Sequence, residues 1–282
     1  GAARAGWLGV HLAGADALGD AVLARADLAL YQAKSGGRNR LCFFDPAMQQ
    51  SLVARAEMEA ALRRVVAEGQ LVLHYQPQLD DRRRIIGAEA LLRWEHPLRG
   101  LVPPAEFIPL AEETGLIVPI GNWVLETACA QLRAWQDSEA TRDLILAVNV
   151  SARQFHQPGF ADGIRHILAR SGADPTHLKL ELTESVIIDD MEDTIEKMRT
   201  LKAMGIHFSM DDFGTGYSSL SYLRQLPLDQ LKIDRSFIHE VDSNSGDAEI
   251  VKSIIAMAQA LGLDVIAEGV EKETQHRFLD NN

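Results

Sequence analysis

Six short apolar runs in this chain end on an acidic, amide or lysine side chain, and helix-like segments separate most of them. Ile85-Ile86-Gly87-Ala88 leads into Glu89, Leu144 through Val148 into Asn149, and Leu178-Lys179-Leu180 into Glu181. Ile206 through Met210 leads into Asp211-Asp212, Leu231 into Lys232 and Asp234, and Val265-Ile266-Ala267 into Glu268. The C-terminal ends of successive strands in a parallel α/β barrel converge on one mouth, and that is where such a fold displays a catalytic ring. The expected fold class is therefore α/β, a modified TIM (β/α)8 barrel.

Strands are expected at 70–76, 85–91, 144–150, 177–182, 206–211, 229–233 and 263–268, and helices at 105–114, 121–136, 159–171, 190–204, 218–225, 247–262 and 271–280. Only about eight residues separate the first two strands, too few for a helical crossover, so these two are expected to pair antiparallel. Residues 1–45 read as a small N-terminal α/β fragment: a strand near Trp7, an amphipathic helix from Leu18 to Lys34 closed by Ser35-Gly36-Gly37, and a strand from Leu41. A linker helix is expected over 46–68, with Pro46 at its start and Gly69 at its end, and the main domain over 69–282.

The net charge of −12 argues against a basic groove for a DNA or RNA polymer. An anionic small molecule remains compatible, because bound divalent cations invert the local potential. Cys42 and Cys129 form no CxxC and read as separate thiols in a reducing compartment. No apolar run approaches the roughly 18 residues that cross a bilayer, and no secretory signal is visible. The chain is expected to be a cytoplasmic domain without membrane contact of its own, compatible with a parent protein anchored at the inner membrane by segments outside it.

Glu89, Glu181, Asp211, Asp212 and Glu268 sharing one mouth would repel one another. Two divalent cations together with Lys232 would neutralise them. Oxygen donors without cysteine or histidine favour Mg²⁺ or Mn²⁺. Two such ions roughly 3.5–4 Å apart suit in-line phosphoryl displacement. A single acid at a strand end is more often a cap, and Asp211-Asp212 alone could start a helix. Five acids and Asn149 at successive strand ends are what point to a metal-dependent hydrolase.

Several motifs then match one family. Tyr75-Gln76-Pro77, Glu89-Ala90-Leu91 followed by Leu92-Arg93-Trp94, Asn149-Val150-Ser151 and Glu181-Leu182-Thr183-Glu184 stand in order. Asp211-Asp212-Phe213-Gly214-Thr215-Gly216, Lys232-Ile233-Asp234 and Glu268-Gly269-Val270-Glu271 continue the series. From about Leu52 to its end the chain resembles EAL domains, the cyclic di-GMP phosphodiesterases. The resemblance implies hydrolysis of one phosphodiester of cyclic di-GMP to linear pGpG, lowering a second messenger of bacterial signalling and biofilm formation. It implies two Mg²⁺ or Mn²⁺ ions, one held by Glu89, Asn149, Glu181 and Asp211, the other by Asp211, Asp212 and Glu268. It assigns catalytic roles to Lys232, which orients the attacking water or assists its deprotonation, to Glu268, and to Glu184, which tethers the Asp212-to-Leu220 loop. Gln76, Arg93, Asp234 and Glu271 would contact substrate.

The family continues past Glu271 with a helix and a strand carrying Gln-Gly-Tyr, which this chain does not reach, so the barrel is expected to be truncated at its C-terminal end. Ala26 through Lys34 with Gly37-Arg38-Asn39 resembles the last part of a GGDEF diguanylate-cyclase domain, without the motif that gives that family its activity. EAL-like domains often pair, which implies a homodimer. The rival readings are a non-catalytic cyclic di-GMP receptor and a different metal-dependent barrel enzyme using Lys232 as base.

Overall fold

The computed structural model describes residues 8–10, 23–27, 29–30, 41–186, 190–214 and 223–282. The chain divides into two compact units, Gly1–Arg64 and Val65–Asn282.

In the first unit, β1 (Leu8–Val10) pairs in parallel with β2 (Leu41–Phe43). Helix α1 (Pro46–Leu62) follows. Asp45 caps it by accepting from the Ala47 N–H at 2.9 Å, and Pro46 occupies the first turn, where a missing N–H costs nothing. The helix ends earlier than the expected 68, and a series of turns carries the chain to Gly69 (φ +63°). Residues 23–27 and 29–30 of the expected Leu18–Lys34 helix are helical, and the rest of it lies outside the described residues.

The second unit is built on one curled sheet. Its strands are β3 (Leu71–Leu79), β4 (Ile85–His96), β5 (Gly100–Val102), β6 (Ile145–Val150), β7 (Leu178–Thr183), β8 (His207–Phe213), β9 (Gln230–Ile233) and β10 (Asp264–Ala267). They lie in the order β10-β9-β8-β7-β6-β4-β3, with β5 paired to β4. Along that order the pairings from β4 to β10 are parallel, β5 is antiparallel to β4, and β3 is antiparallel to β4, as the short connection requires. Asp80 builds that connection: its Oδ1 accepts from the Arg82 and Arg84 N–H groups while Arg83 turns through φ +58°. β7 and β9 are buried along almost their whole length, the pattern of strands covered on both faces.

Helices α2 (Pro104–Thr114), α3 (Ile117–Gln136), α4 (Ala152–Phe155), α5 (Phe160–Ser171), α6 (Met191–Lys202), α7 (Arg235–Ile238), α8 (Ser245–Leu261) and α9 (Glu273–Asp280) complete the unit. On α3, Ile120, Val124, Leu125, Ala128 and Leu132 recur at helical spacing and are buried. Tyr75 of β3 meets Trp135 of α3 edge-on, ring centroids 5.4 Å apart, which identifies the helix-covered face of the sheet. Side chains alternate along a strand, so Gln76 and its cross-strand partner Glu89 lie on the opposite, inner face.

The structure departs from the expected elements in several places. β4 runs on to His96 and turns back into β5, because Trp94 is fully buried against Phe107 and keeps the strand in the core. Two four-residue helices, α4 and α7, follow β6 and β9; Ser151 and Asp234 cap them from the strand ends. Of the expected helix at 218–225, residues 218–222 lie outside the described residues. Among the described residues, no helix is long and apolar enough to cross a membrane.

Candidate active site

The parallel register turns sequence spacing into a ring. Glu89 stands opposite Ala147, Asn149 opposite Glu181, Thr183 opposite Asp211, and Ile266 opposite Lys232. Side chains two residues apart share a face, so Glu89, Asn149, Glu181, Asp211 and Lys232 all point to the inner side. Glu268 follows β10, where its backbone N–H is still held by the Ile233 carbonyl at 3.1 Å.

Lys232 is the centre of the ring, 1% exposed. Its Nζ lies 2.6 Å from Glu181 Oε2, 2.7 Å from Glu268 Oε1, and 3.2 Å from both Glu89 Oε2 and Asp211 Oδ1. Asn149 extends the cluster by donating to Glu89 Oε1 at 2.6 Å. Burial would push the Lys232 pKa down, but the charges of Glu181, Glu89 and Asp211 outweigh it and hold the ammonium above its ordinary value. Burial raises Glu181 despite the lysine beside it, and raises Glu268 in the same way.

Asp212 sits at the edge of this cluster in a left-handed conformation (φ +54°), unusual for a residue other than glycine. Its N–H donates to Asp211 Oδ1 at 2.9 Å, and its carboxyl is hydrogen-bonded to Asp234. Burial, then the charges of Asp211, Asp234 and Glu268, push the Asp212 carboxyl up to about 6. Burial also works against ionised Asp234, but the bonds from the Ser236 hydroxyl and N–H outweigh it and hold that carboxylate below its usual value.

Glu184, 9% exposed, accepts from the Gly214 N–H at 3.1 Å, which ties the end of β7 to the chain leaving β8. The loop beyond Gly214 that sequence reading attaches to it lies outside the described residues. Arg93 is on the inner face of β4, four residues past Glu89, and donates to the Leu92 carbonyl at 2.8 Å. Gln76 is exposed beside Glu89. Asp234 caps α7, and Glu271 donates its N–H to Gln275 Oε1 at 2.8 Å. The structure thus gathers Glu89, Asn149, Glu181, Asp211, Glu268 and Lys232 directly, joins Asp212 and Asp234 beside them, and leaves Glu271 outside the hydrogen-bonded ring.

Sequence reading passed over Lys179, Ser209 and Gln230, a polar group directly beneath the ring. The signal was present as polar residues inside otherwise apolar strands.

Among the described residues, no three histidine, cysteine or acidic side chains converge on a metal position; the carboxylates converge on the Lys232 ammonium. The donor chemistry nevertheless fits a hard divalent cation: carboxylate and amide oxygens only, with Glu181 Oε1 buried and lacking a hydrogen-bond partner.

A curled, mainly parallel sheet with an acidic ring at the C-terminal ends of its strands defines a protein of the TIM-barrel-like α/β class. The family model for the EAL domain matches residues 59–282, and the chain belongs to that family. It is 49% identical over 259 residues to the bifunctional diguanylate cyclase/cyclic di-GMP phosphodiesterase MucR of Pseudomonas aeruginosa, covering 92% of this chain and 38% of that protein. It is 40% identical over 262 residues to the cyclic di-GMP phosphodiesterase PdeR of Escherichia coli, covering 93% and 39%. The chain thus spans about two-fifths of the length of these curated relatives. The structure of the PaMucR phosphodiesterase in complex with c-di-GMP superimposes with a TM-score of 0.76 at 50% identity, covering 80% of this chain and 91% of that one.

Proposed function

We propose that this chain hydrolyses cyclic di-GMP to linear pGpG. The observation that carries the reading is the ring of Glu89, Glu181, Asp211 and Glu268 about Lys232 on an EAL-family fold. Relatives named as cyclic di-GMP phosphodiesterases, and a similar structure in complex with that nucleotide, support the choice of substrate.

In this reading Glu89, Asn149, Glu181 and Asp211 would hold one Mg²⁺ or Mn²⁺ ion, and Asp211, Asp212 and Glu268 a second. When bound, such ions neutralise the phosphodiester and ease formation of the attacking hydroxide. Lys232 would stand beside the attacking water, orienting it or assisting its deprotonation. The phosphorus gains the oxygen of that water and loses a ribose 3′-oxygen, which leaves with a proton. Arg93 supplies a fork of donors for phosphate oxygens. Gln76, Asp234 and Glu271 would contact the rest of the nucleotide. Glu184 would act by holding Gly214, and through it the base of Asp211 and Asp212.

Residues 1–45 would be the end of a GGDEF-like domain, 46–68 a linker and 69–282 the phosphodiesterase domain, working in the cytoplasm as a homodimer. The testing experiment incubates the chain with cyclic di-GMP and Mg²⁺ or Mn²⁺ and separates the nucleotides by chromatography. Appearance of pGpG, abolished by EDTA, is expected. Intact nucleotide that still binds would replace this reading with a receptor.

A further inference from the structure

Two residues back along each strand from the ring lie Gly87, Ala147, Lys179, Ser209, Gln230 and Ile266, the next inward-facing layer. Layers inside such barrels are usually filled by branched apolar side chains. Here the layer holds a charge. Lys179 on β7 is 7% exposed and reaches past β8 to β9, where its Nζ donates to Gln230 Oε1 at 2.9 Å. Ser209 stands on the strand between them; its small side chain leaves room for the crossing, and its hydroxyl donates to the same oxygen at 3.4 Å.

Among the described residues, the hydrogen-bond partner of this ammonium is a neutral amide, and its carboxylate neighbours act only at longer range. Those neighbours are Glu181 on the mouth side and Asp264 and Asp229 towards the strand starts, with Lys232 opposing them. Burial holds the Lys179 pKa below its ordinary value against the pull of those carboxylates, and the charge held there in a poorly solvated interior is felt strongly by what lies beside it.

We propose that Lys179 is a positioning residue whose fixed positive charge, acting through Glu181, weakens divalent-cation binding at the ring and so sets the cation concentration at which the site fills. The inference rests on the reading of the ring as a cation site. Gln230 and Ser209 hold the ammonium under the ring instead of letting it swing up into it.

The test is a calorimetric Mn²⁺ titration of the full chain without nucleotide. Lys179→Met keeps the length of the side chain and removes the charge, and is expected to bind Mn²⁺ about ten-fold more tightly. Gln230→Glu sets a carboxylate against the ammonium and is expected to tighten binding in the same direction, which keeps the test alive if Lys179→Met does not fold. Lys179→Arg retains the charge and is expected to keep wild-type affinity. The gain should persist at high salt, because buried charges are screened little. A merely structural role would move the melting temperature and leave the Mn²⁺ affinity unchanged. Binding of equal strength in wild type, Lys179→Met and Gln230→Glu overturns the inference alone. A wild-type chain that binds no Mn²⁺ overturns the cation reading of the ring and this inference with it.

Discussion

Lys232 serves four carboxylates with one ammonium, and the ring's metal-free stability depends on it. Lys232→Met would leave Glu181, whose side chain is fully buried, with no opposing charge in contact. Breaking a buried ion pair from one side costs about 3–5 kcal/mol, and a loss of that size is expected in denaturant unfolding measured in EDTA. Added Mn²⁺ should return part of it by binding the folded state. An unchanged unfolding midpoint in EDTA would count against Lys232 as the central counter-charge. Asp212 behaves oppositely. Burial and neighbouring charge raise its carboxyl to about 6 from the ordinary 3.8, so the folded protein binds the proton more tightly than the unfolded chain does. Between those values stability falls as pH rises, and at pH 7 the ionised group opposes folding. Asp212→Asn is therefore expected to raise the metal-free melting temperature at pH 7, with the gain fading as pH drops towards 4, while hydrolysis is lost. A lower melting temperature at pH 7, or retained turnover, would contradict this.

At the scale of elements, the ring depends on how closely β4 and β6 approach. A Cβ on Gly87 would come within 2.4 Å of the Ile145 carbonyl oxygen, so Gly87→Ala must push the two strands apart two residues below Glu89. Forcing a methyl into a packed interior costs about 1–3 kcal/mol, and a fall of that order in unfolding free energy, with weaker Mn²⁺ binding, is the expected result. Wild-type stability would mean that the strands adjust freely. The same strands show what the sequence reveals. Acidic residues that end apolar runs stand out against their neighbours, so Glu89, Glu181, Asp211 and Glu268 could be read directly, and the short link between β3 and β4 gave their antiparallel pairing. Lys179 and Gln230 could not be read in this way. A polar residue within a strand declares its face only once register is known, and the group that Lys179 bonds lies 51 residues away on a strand that is not its neighbour. β5 was missed because burial of Trp94, a tertiary contact, decides it. The short helices α4 and α7 are set by single caps, Ser151 and Asp234, at the ends of strands, where a cap carries little signal of a helix only four residues long.

For the whole molecule, the two compact units meet in sequence between Arg64 and Val65, while the family match begins at 59. Every residue of the ring, and the Lys179 layer beneath it, lies in Val65–Asn282. That unit also contains the sheet and its covering helices. A unit with its own sheet, helices and core has what independent folding requires. Arg63 and Arg64 are exposed just beyond the end of α1 and offer trypsin a cut at the boundary. The piece 65–282 is therefore expected to be protected from further digestion, to melt in one cooperative transition, and to release pGpG from cyclic di-GMP at a rate close to that of the full chain. Rapid degradation of the piece would show that residues 1–64 supply part of its stability. A folded piece that binds Mn²⁺ normally but turns over slowly would instead assign residues 1–64 a part in catalysis that the ring's own geometry does not require.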